Sequence, residues 1–258
     1  MDGFEARSPS PETTGLNMSA LSKNVKFTAA DFSKPEQAAR NRWTKPIGAL
    51  LLSALACAPG FAQTQAQAKT SPATPTLLIV GDSLSAEYGL KRGTGWVPLL
   101  DKQLVSEKIN AKVINASISG DTTSGGRSRL PALLAQHKPS TVVIELGGND
   151  ALRGLPLDMT EKNLTAMTQA SKKAGAKVLL IGMQVPPNYG SAYSTGFSNL
   201  FAKVAKAEKV ALVPFFLKGI ADGEDAAANF QADRIHPNEP SQARMLANVW
   251  PELKKIIP

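Results

Sequence analysis

Cysteine and histidine are nearly missing from this sequence. Its 258 residues hold one Cys, Cys57, and two His, His137 and His236. A lone thiol excludes an intrachain disulfide framework, and no His/Cys cluster has the spacing of a zinc site. Aromatic residues make up 6% of the chain and are not interleaved with the 29 Lys and Arg. That argues against the stacking platform and basic stripe of nucleic-acid binding. Ile47–Ala58 is an uncharged, mostly apolar run of twelve, short of the ~20 residues that span a bilayer, so no stable membrane anchor is expected. Neither G-x-x-x-x-G-K-S/T nor G-x-G-x-x-G after a strand occurs, which removes the common nucleotide-phosphate cradles.

The chain reads in four parts. Residues 1–39 are polar, with both charge signs and no apolar period; this extension is expected to be disordered or to precede the true start. Arg40, Arg42 and Lys45 flank the apolar run, Pro59 ends it, and Gly60 and Ala62 stand where a signal peptidase reads small residues. Residues 40–62 therefore read as a secretory signal, with cleavage after Ala62 or, at the A-Q-A of Ala66–Ala68, after Ala68. Cys57 lies inside it, with Ala54 where a lipoprotein signal wants Leu. Residues 63–75 form a Gln/Ala/Thr/Pro linker, and residues 76–258 are the expected folded domain, periplasmic or secreted. Residues 1–62 take with them seven Lys/Arg and five Asp/Glu, leaving 22 and 16, net +6. The charge is spread, which favours solubility rather than a nucleic-acid partner.

Past the linker two kinds of segment alternate. Thr76–Val80, Ala111–Ile118, Thr141–Leu146, Lys177–Met183 and Ala211–Pro214 are short, β-branched and unalternating, as buried strands are. Gly95–Lys108, Gly125–His137, Thr160–Ala174, Phe197–Glu208 and Pro240–Ile257 have helix length. The pattern predicts an α/β fold, three layers (α/β/α) around a parallel sheet of about five strands. Ligands bind such sheets outside the carboxyl ends of the strands. Gly81–Ser83, Ser119–Asp121 and Gly147–Asp150 each follow a strand directly, so three polar clusters should meet on one edge.

Ser83 is the plausible nucleophile at that edge, and a serine attacks only when a base takes its proton. His137, at a helix end in QHKP, suits the last carbonyls of that helix. His236 has Asp233 three residues before it, close enough to accept an imidazole hydrogen and fix the tautomer. Donors for an oxyanion are available at the Ser83 N–H, the Gly120 N–H and the Asn149 side-chain amide. Asp82, Asp121 and Asp150 read as acceptors that staple neighbouring loops, and Arg153 as a solvated loop arginine.

These blocks resemble, in their order, a known family. GDSL at Gly81–Leu84, the Gly120 of A-S-I-S-G-D-T, GGND at Gly147–Asp150 and D-x-x-H at Asp233–His236 are similar to the motifs of the SGNH, or GDSL, hydrolases. VINASISGDTTSGG, LPALLAQHKP, IELGGNDALRGLP and PPNYG resemble its bacterial periplasmic arylesterases, acyl-CoA thioesterases and lysophospholipases, over residues 76–257. The resemblance implies a flavodoxin-like SGNH fold and a broad-specificity serine esterase acting on acyl esters and thioesters, lysophospholipids included, through an acyl-enzyme. It implies no metal and no cofactor. It implies Ser83 as nucleophile, His236 as base and then acid, Asp233 as its orienter, and Ser83, Gly120 and Asn149 as the oxyanion hole. It further implies that Ala151–Pro156 is a loop that shifts on acyl binding, with Gly154 as hinge and Leu152 and Leu155 as apolar contacts. Pro187 and Tyr189 of PPNYG would line the acyl groove.

Two other readings stay open here. A carbohydrate acetylesterase or an acyltransferase would use the same catalytic residues. A phosphate-cradling binding module would use Gly93-Thr94-Gly95 ahead of a helix, but would not need His236.

Overall fold

The computed structural model describes residues 74–258. The expected extension, the signal peptide and all but the end of the linker lie outside the described residues. Strand β1 is Thr76–Gly81, β2 Lys112–Asn115, β3 Thr141–Glu145, β4 Lys177–Ile181 and β5 Ala211–Val213. They form one sheet in the order β2-β1-β3-β4-β5, every pair parallel. The expected α/β class and five-strand parallel sheet are thus both present.

Parallel neighbours need crossovers, and helices supply them. They are α1 (Trp96–Ser106), α2 (Thr123–His137), α3 (Gly148–Leu152), α4 (Leu157–Lys173), α5 (Ser191–Glu208) and α6 (Gln242–Lys254). α1 packs with α6 on one face of the sheet, and α4 packs between α2 and α5 on the other. With both faces covered, central strands can be apolar throughout: Leu77, Leu78, Ile79, Val80, Val142 and Val143 are fully buried. Each such side chain contributes roughly 1.5–3 kcal/mol by leaving water. Trp96 of α1 meets Phe216 edge-on at 5.6 Å, and Phe197 meets Phe201 within α5 at 5.3 Å.

The chain leaves β1 toward β2 and returns to β3 on the other side of β1. That reversal is a topological switch point, where the loops after β1 and β3 part and leave a crevice. Register sets Gly81 beside Glu145, so the two strands end together.

Several element bounds differ from the sequence expectation, and three of the differences bear on the site. β2 stops at Asn115 rather than Ile118, where the Asn115 amide turns in to donate to Ser85 O at 2.8 Å. α5 begins at Ser191 rather than Phe197; Ser191–Gly196 carries no apolar period to read, and tertiary contact holds it, with Tyr193 OH donating to Leu155 O at 3.1 Å. The glycine-rich GGND block opens the short helix α3, so Ala151 and Leu152 are helical rather than part of a loop.

Candidate active site

Ser83 sits just past the end of β1. The chain turns at once: the Ser85 and Ala86 N–H groups donate to Asp82 O at 3.2 and 2.9 Å, and Leu84 N–H donates to Asp82 Oδ1 at 3.0 Å. This Asx turn lifts Ser83 out of the strand line. Gly81 has to lack a side chain, because a Cβ there would lie 2.8 Å from Glu145 Oε2 and Ser85 Oγ and 2.9 Å from Ser117 Oγ.

His236 arrives on the connection between β5 and α6. An antiparallel bridge joins Phe230 to Pro237, and Gln231 N–H donates to His236 O at 2.8 Å. Asp233 lies inside this hairpin-like loop, its Oδ1 accepting the N–H of Ile235 at 2.9 Å and of His236 at 3.0 Å. Those backbone donors, His236 ahead of Ile235, pull Asp233 down to about 2. Its Oδ2 lies 2.7 Å from His236 Nδ1, and His236 Nε2 lies 2.8 Å from Ser83 Oγ. Beside an ionised Asp233, Nδ1 carries the imidazole hydrogen and Nε2 accepts from the serine hydroxyl. Such a row can carry a proton off the hydroxyl.

The expected donors flank Ser83. Gly120 has φ +77, the left-handed region where a side chain is strained. Neither Ser83 N–H nor Gly120 N–H has an acceptor among the described residues. Asn149, in the first turn of α3, donates one Nδ2 hydrogen to Asp82 Oδ2 at 3.0 Å, which leaves the other for a ligand. Asp82 therefore does more than accept backbone amides. Asp121 and Asp150 are staples as expected: Asp121 accepts from Thr122 N–H at 2.9 Å and from Arg129 Nε at 2.8 Å, and Asp150 accepts from the Thr123 N–H at 2.9 Å and the Thr123 hydroxyl. Arg153 is exposed yet not merely solvated: its Nη2 donates to Gly120 O at 3.0 Å and ties the α3 loop to the Gly120 loop.

Of the other expected site residues, Leu152 is exposed at the end of α3, Gly154 has φ +63, and Leu155 is partly buried with its carbonyl held by Tyr193. Pro187–Tyr189 forms a single 3₁₀ turn after β4, with Tyr189 partly buried. None of these hydrogen bonds to Ser83, Asp233 or His236 among the described residues. Sequence reading missed Tyr88, whose ring centroid lies 4.4 Å from that of His236, and Gln231, whose Nε2 donates to Tyr88 O at 2.9 Å. It missed Glu145 too, although a carboxylate closing a buried strand was a visible signal. Burial, together with the Asp82 carboxyl, raises Glu145 well above the carboxylate range, and burial raises Asp82 to about 6. No cluster of three or more His, Cys, Asp or Glu that could hold a metal occurs among the described residues.

Comparison with known proteins places the chain in a family. The profile of the GDSL-like Lipase/Acylhydrolase family matches residues 79–244. Esterase TesA of Pseudomonas aeruginosa is 54% identical over 185 residues, covering 72% of this chain and 90% of that protein. Thioesterase 1/protease 1/lysophospholipase L1 of Escherichia coli K12 is 45% identical over 170 residues, covering 66% of this chain and 79% of that protein. The crystal structure of the psychrotrophic esterase EstA from Pseudoalteromonas sp., inhibited by monoethylphosphonate, superposes with TM-score 0.66 at 41% identity, over 70% of this chain and 97% of that one. The chain belongs to the GDSL-like lipase/acylhydrolase family, the SGNH hydrolases.

Proposed function

We propose that this chain is a serine esterase of broad specificity that hydrolyses acyl esters and thioesters through an acyl-enzyme, with Ser83 as nucleophile, His236 as base and then acid, and Asp233 as the carboxylate that orients it. The observation that carries the reading is the unbroken row from Ser83 Oγ through His236 to Asp233, with contacts of 2.8 and 2.7 Å.

In the first half-reaction the Ser83 oxygen bonds to the substrate carbonyl carbon while its proton passes to His236 Nε2. Asp233 stabilises the imidazolium. The carbonyl oxygen takes up negative charge facing Ser83 N–H, Gly120 N–H and the second Nδ2 hydrogen of Asn149. Collapse breaks the acyl–oxygen or acyl–sulfur bond; the leaving alcohol or thiol takes the proton from His236, and the acyl group stays on Ser83. Water then attacks the acyl carbon, giving a proton to His236, and the second collapse returns that proton to Ser83 and frees the carboxylic acid.

Four of the five exposed large apolar side chains among the described residues support an apolar substrate. Tyr88, Ile118, Leu152 and Ile235 stand on the segments that carry Ser83, Gly120, Asn149 and His236. An apolar rim favours aryl leaving groups and acyl chains longer than acetyl, lysophospholipid included. Leu152, Gly154, Leu155, Pro187 and Tyr189 are proposed as acyl contacts. The E. coli relative's name, with its thioesterase and lysophospholipase, and the phosphonate inhibition of EstA are consistent with the reading. Export through residues 40–62 is part of the proposal. No helix of the described residues is long and apolar enough to cross a membrane.

A fluorophosphonate ester tests the chemistry. The expected result is one adduct, on Ser83, abolished by Ser83→Ala in folded protein. A folded wild type that takes no label, or takes it elsewhere, overturns the reading.

A further inference from the structure

Behind Ser83 lies a polar cluster that the Ser–His–Asp row does not use. Glu145, the last residue of β3, is fully buried, and Asp82 is 2% exposed. Glu145 Oε2 already takes two hydrogens, from Ser85 Oγ at 2.7 Å and from Asp82 N–H at 3.3 Å. Ser85 Oγ in turn accepts from Trp96 Nε1 at 3.1 Å, so its own hydrogen is committed to Glu145. Glu145 Oε1 meets no donor among the described residues. Both oxygens of Asp82 are engaged as acceptors, Oδ1 by Leu84 N–H and Oδ2 by Asn149 Nδ2.

No Lys or Arg pairs with either carboxyl among the described residues. The groups that face the pair come from several elements. Arg129 of α2 donates to Ala116 O and Gly81 O and is paired with Asp121. Trp96 of α1, Ser117 of the loop after β2 and Asn149 of α3 are neutral. A His236 imidazolium, when it forms, favours the ionised form of Asp82. Two buried carboxyls joined through the Asp82 N–H on Glu145 Oε2, with no Lys or Arg paired to either among the described residues, favour holding one proton between them. An N–H donor on each oxygen of Asp82 favours its carboxylate form. Glu145 Oε1, with no donor, is the better site for the proton.

We propose that Glu145 is a positioning residue for the oxyanion amide: as the neutral acid it donates to the Asp82 carboxylate, and Asp82 fixes the Asn149 side chain by accepting one Nδ2 hydrogen. The inference rests on the reading of Asn149 as an oxyanion donor. An asparagine amide turned end for end would present its oxygen, not its N–H, to the developing negative charge. An ionised Asp82 on its far side disfavours that rotamer, because the amide oxygen would then face a carboxylate. The buried acid gives the carboxylate a hydrogen it cannot obtain from water. Glycine at 81 belongs to the same device, since the space a Cβ would fill holds Glu145, Ser85 and Ser117.

The test is a double-mutant cycle on the full chain, with kcat and KM measured on a short aryl ester and folding followed by circular dichroism. Asn149→Ala is expected to lower kcat by about 10²–10³-fold with little change in KM. Glu145→Leu and Asp82→Asn are each expected to lower kcat by at least tenfold in the wild-type background and by less than threefold when Asn149 is already Ala. Glu145→Gln, which keeps a neutral donor, is expected to stay within threefold of wild type. Should Glu145→Leu fail to fold, the Asp82→Asn cycle and Glu145→Gln decide. Additive losses in the Asn149→Ala background, or a Glu145→Gln variant as impaired as Asn149→Ala, overturn the inference. An Asn149→Ala enzyme at wild-type rate instead sinks the oxyanion assignment on which it rests.

Discussion

The Tyr88 ring lies 4.4 Å from the His236 imidazole, tilted by 37°. Tyr88 belongs to the segment that begins with Ser83, and its own N–H donates to Ser83 O at 3.2 Å. Gln231 ties the same tyrosine, through its carbonyl, to the loop that carries His236. Ser83 and His236 are therefore held to each other by packing as well as by their shared hydrogen bond.

An aromatic contact of this kind contributes about 0.5–1.5 kcal/mol. Tyr88→Ala is accordingly expected to lower kcat roughly two- to tenfold, whereas Tyr88→Phe keeps the ring and should retain activity. The ring is half exposed, so the melting temperature should hardly move. Equal losses in both variants would assign the effect to the hydroxyl instead.

Asp233→Asn removes the acceptor that fixes the imidazole tautomer, and kcat should fall on the order of 10²–10⁴-fold. Stability gives a second readout. Asp233 is held at about 2 in the fold, below the ~3.9 of an unfolded aspartate. A depressed carboxyl stabilises above its unfolded pKa, and that contribution is lost as pH falls through the folded value. The melting temperature of wild type should therefore drop more steeply than that of Asp233→Asn between about pH 4 and pH 2. Parallel curves would show that Asp233 is not held down in the fold.

Glu145 behaves in the opposite sense. Burial and the neighbouring Asp82 raise it well above the usual carboxylate range, so the native state keeps a proton that an unfolded chain releases above ~4.3. Stability is then full below that value and declines as pH rises toward the folded pKa. Glu145→Gln escapes the decline. Its melting temperature relative to wild type should climb between pH 5 and pH 8, by about 2–4 °C for each kcal/mol involved. A difference that stays constant with pH would mean that Glu145 is ionised in the fold.

Much of the architecture was readable in the chain. TLLIV at 76–80 and TVVIE at 141–145 are apolar without alternation because helices cover both faces of the sheet, and only strands buried on both sides carry that pattern. α4 and α6 show their buried faces at helical spacing. The start of α5 was not readable, because Ser191–Gly196 is held by Tyr193 reaching Leu155 rather than by a stripe of its own. α3 was hidden for a related reason: five residues beginning in glycine have too few turns to show a period.

The sequence by itself determined the inventory of the chemistry: one strand-end serine, one histidine with an aspartate three residues before it, donors after the second and third strands, and no thiol in residues 74–258. These are short-range facts, set by residue type and by spacing within a turn or two. Tertiary structure alone decided that Ser83 and His236 meet across 153 residues, that Asn149 leans on Asp82 across 67, and that Glu145 stands under both loops. Such meetings depend on strand order, on register and on which face each loop leaves by. Local periodicity does not encode those, because the same strands in another order would bury the same surface.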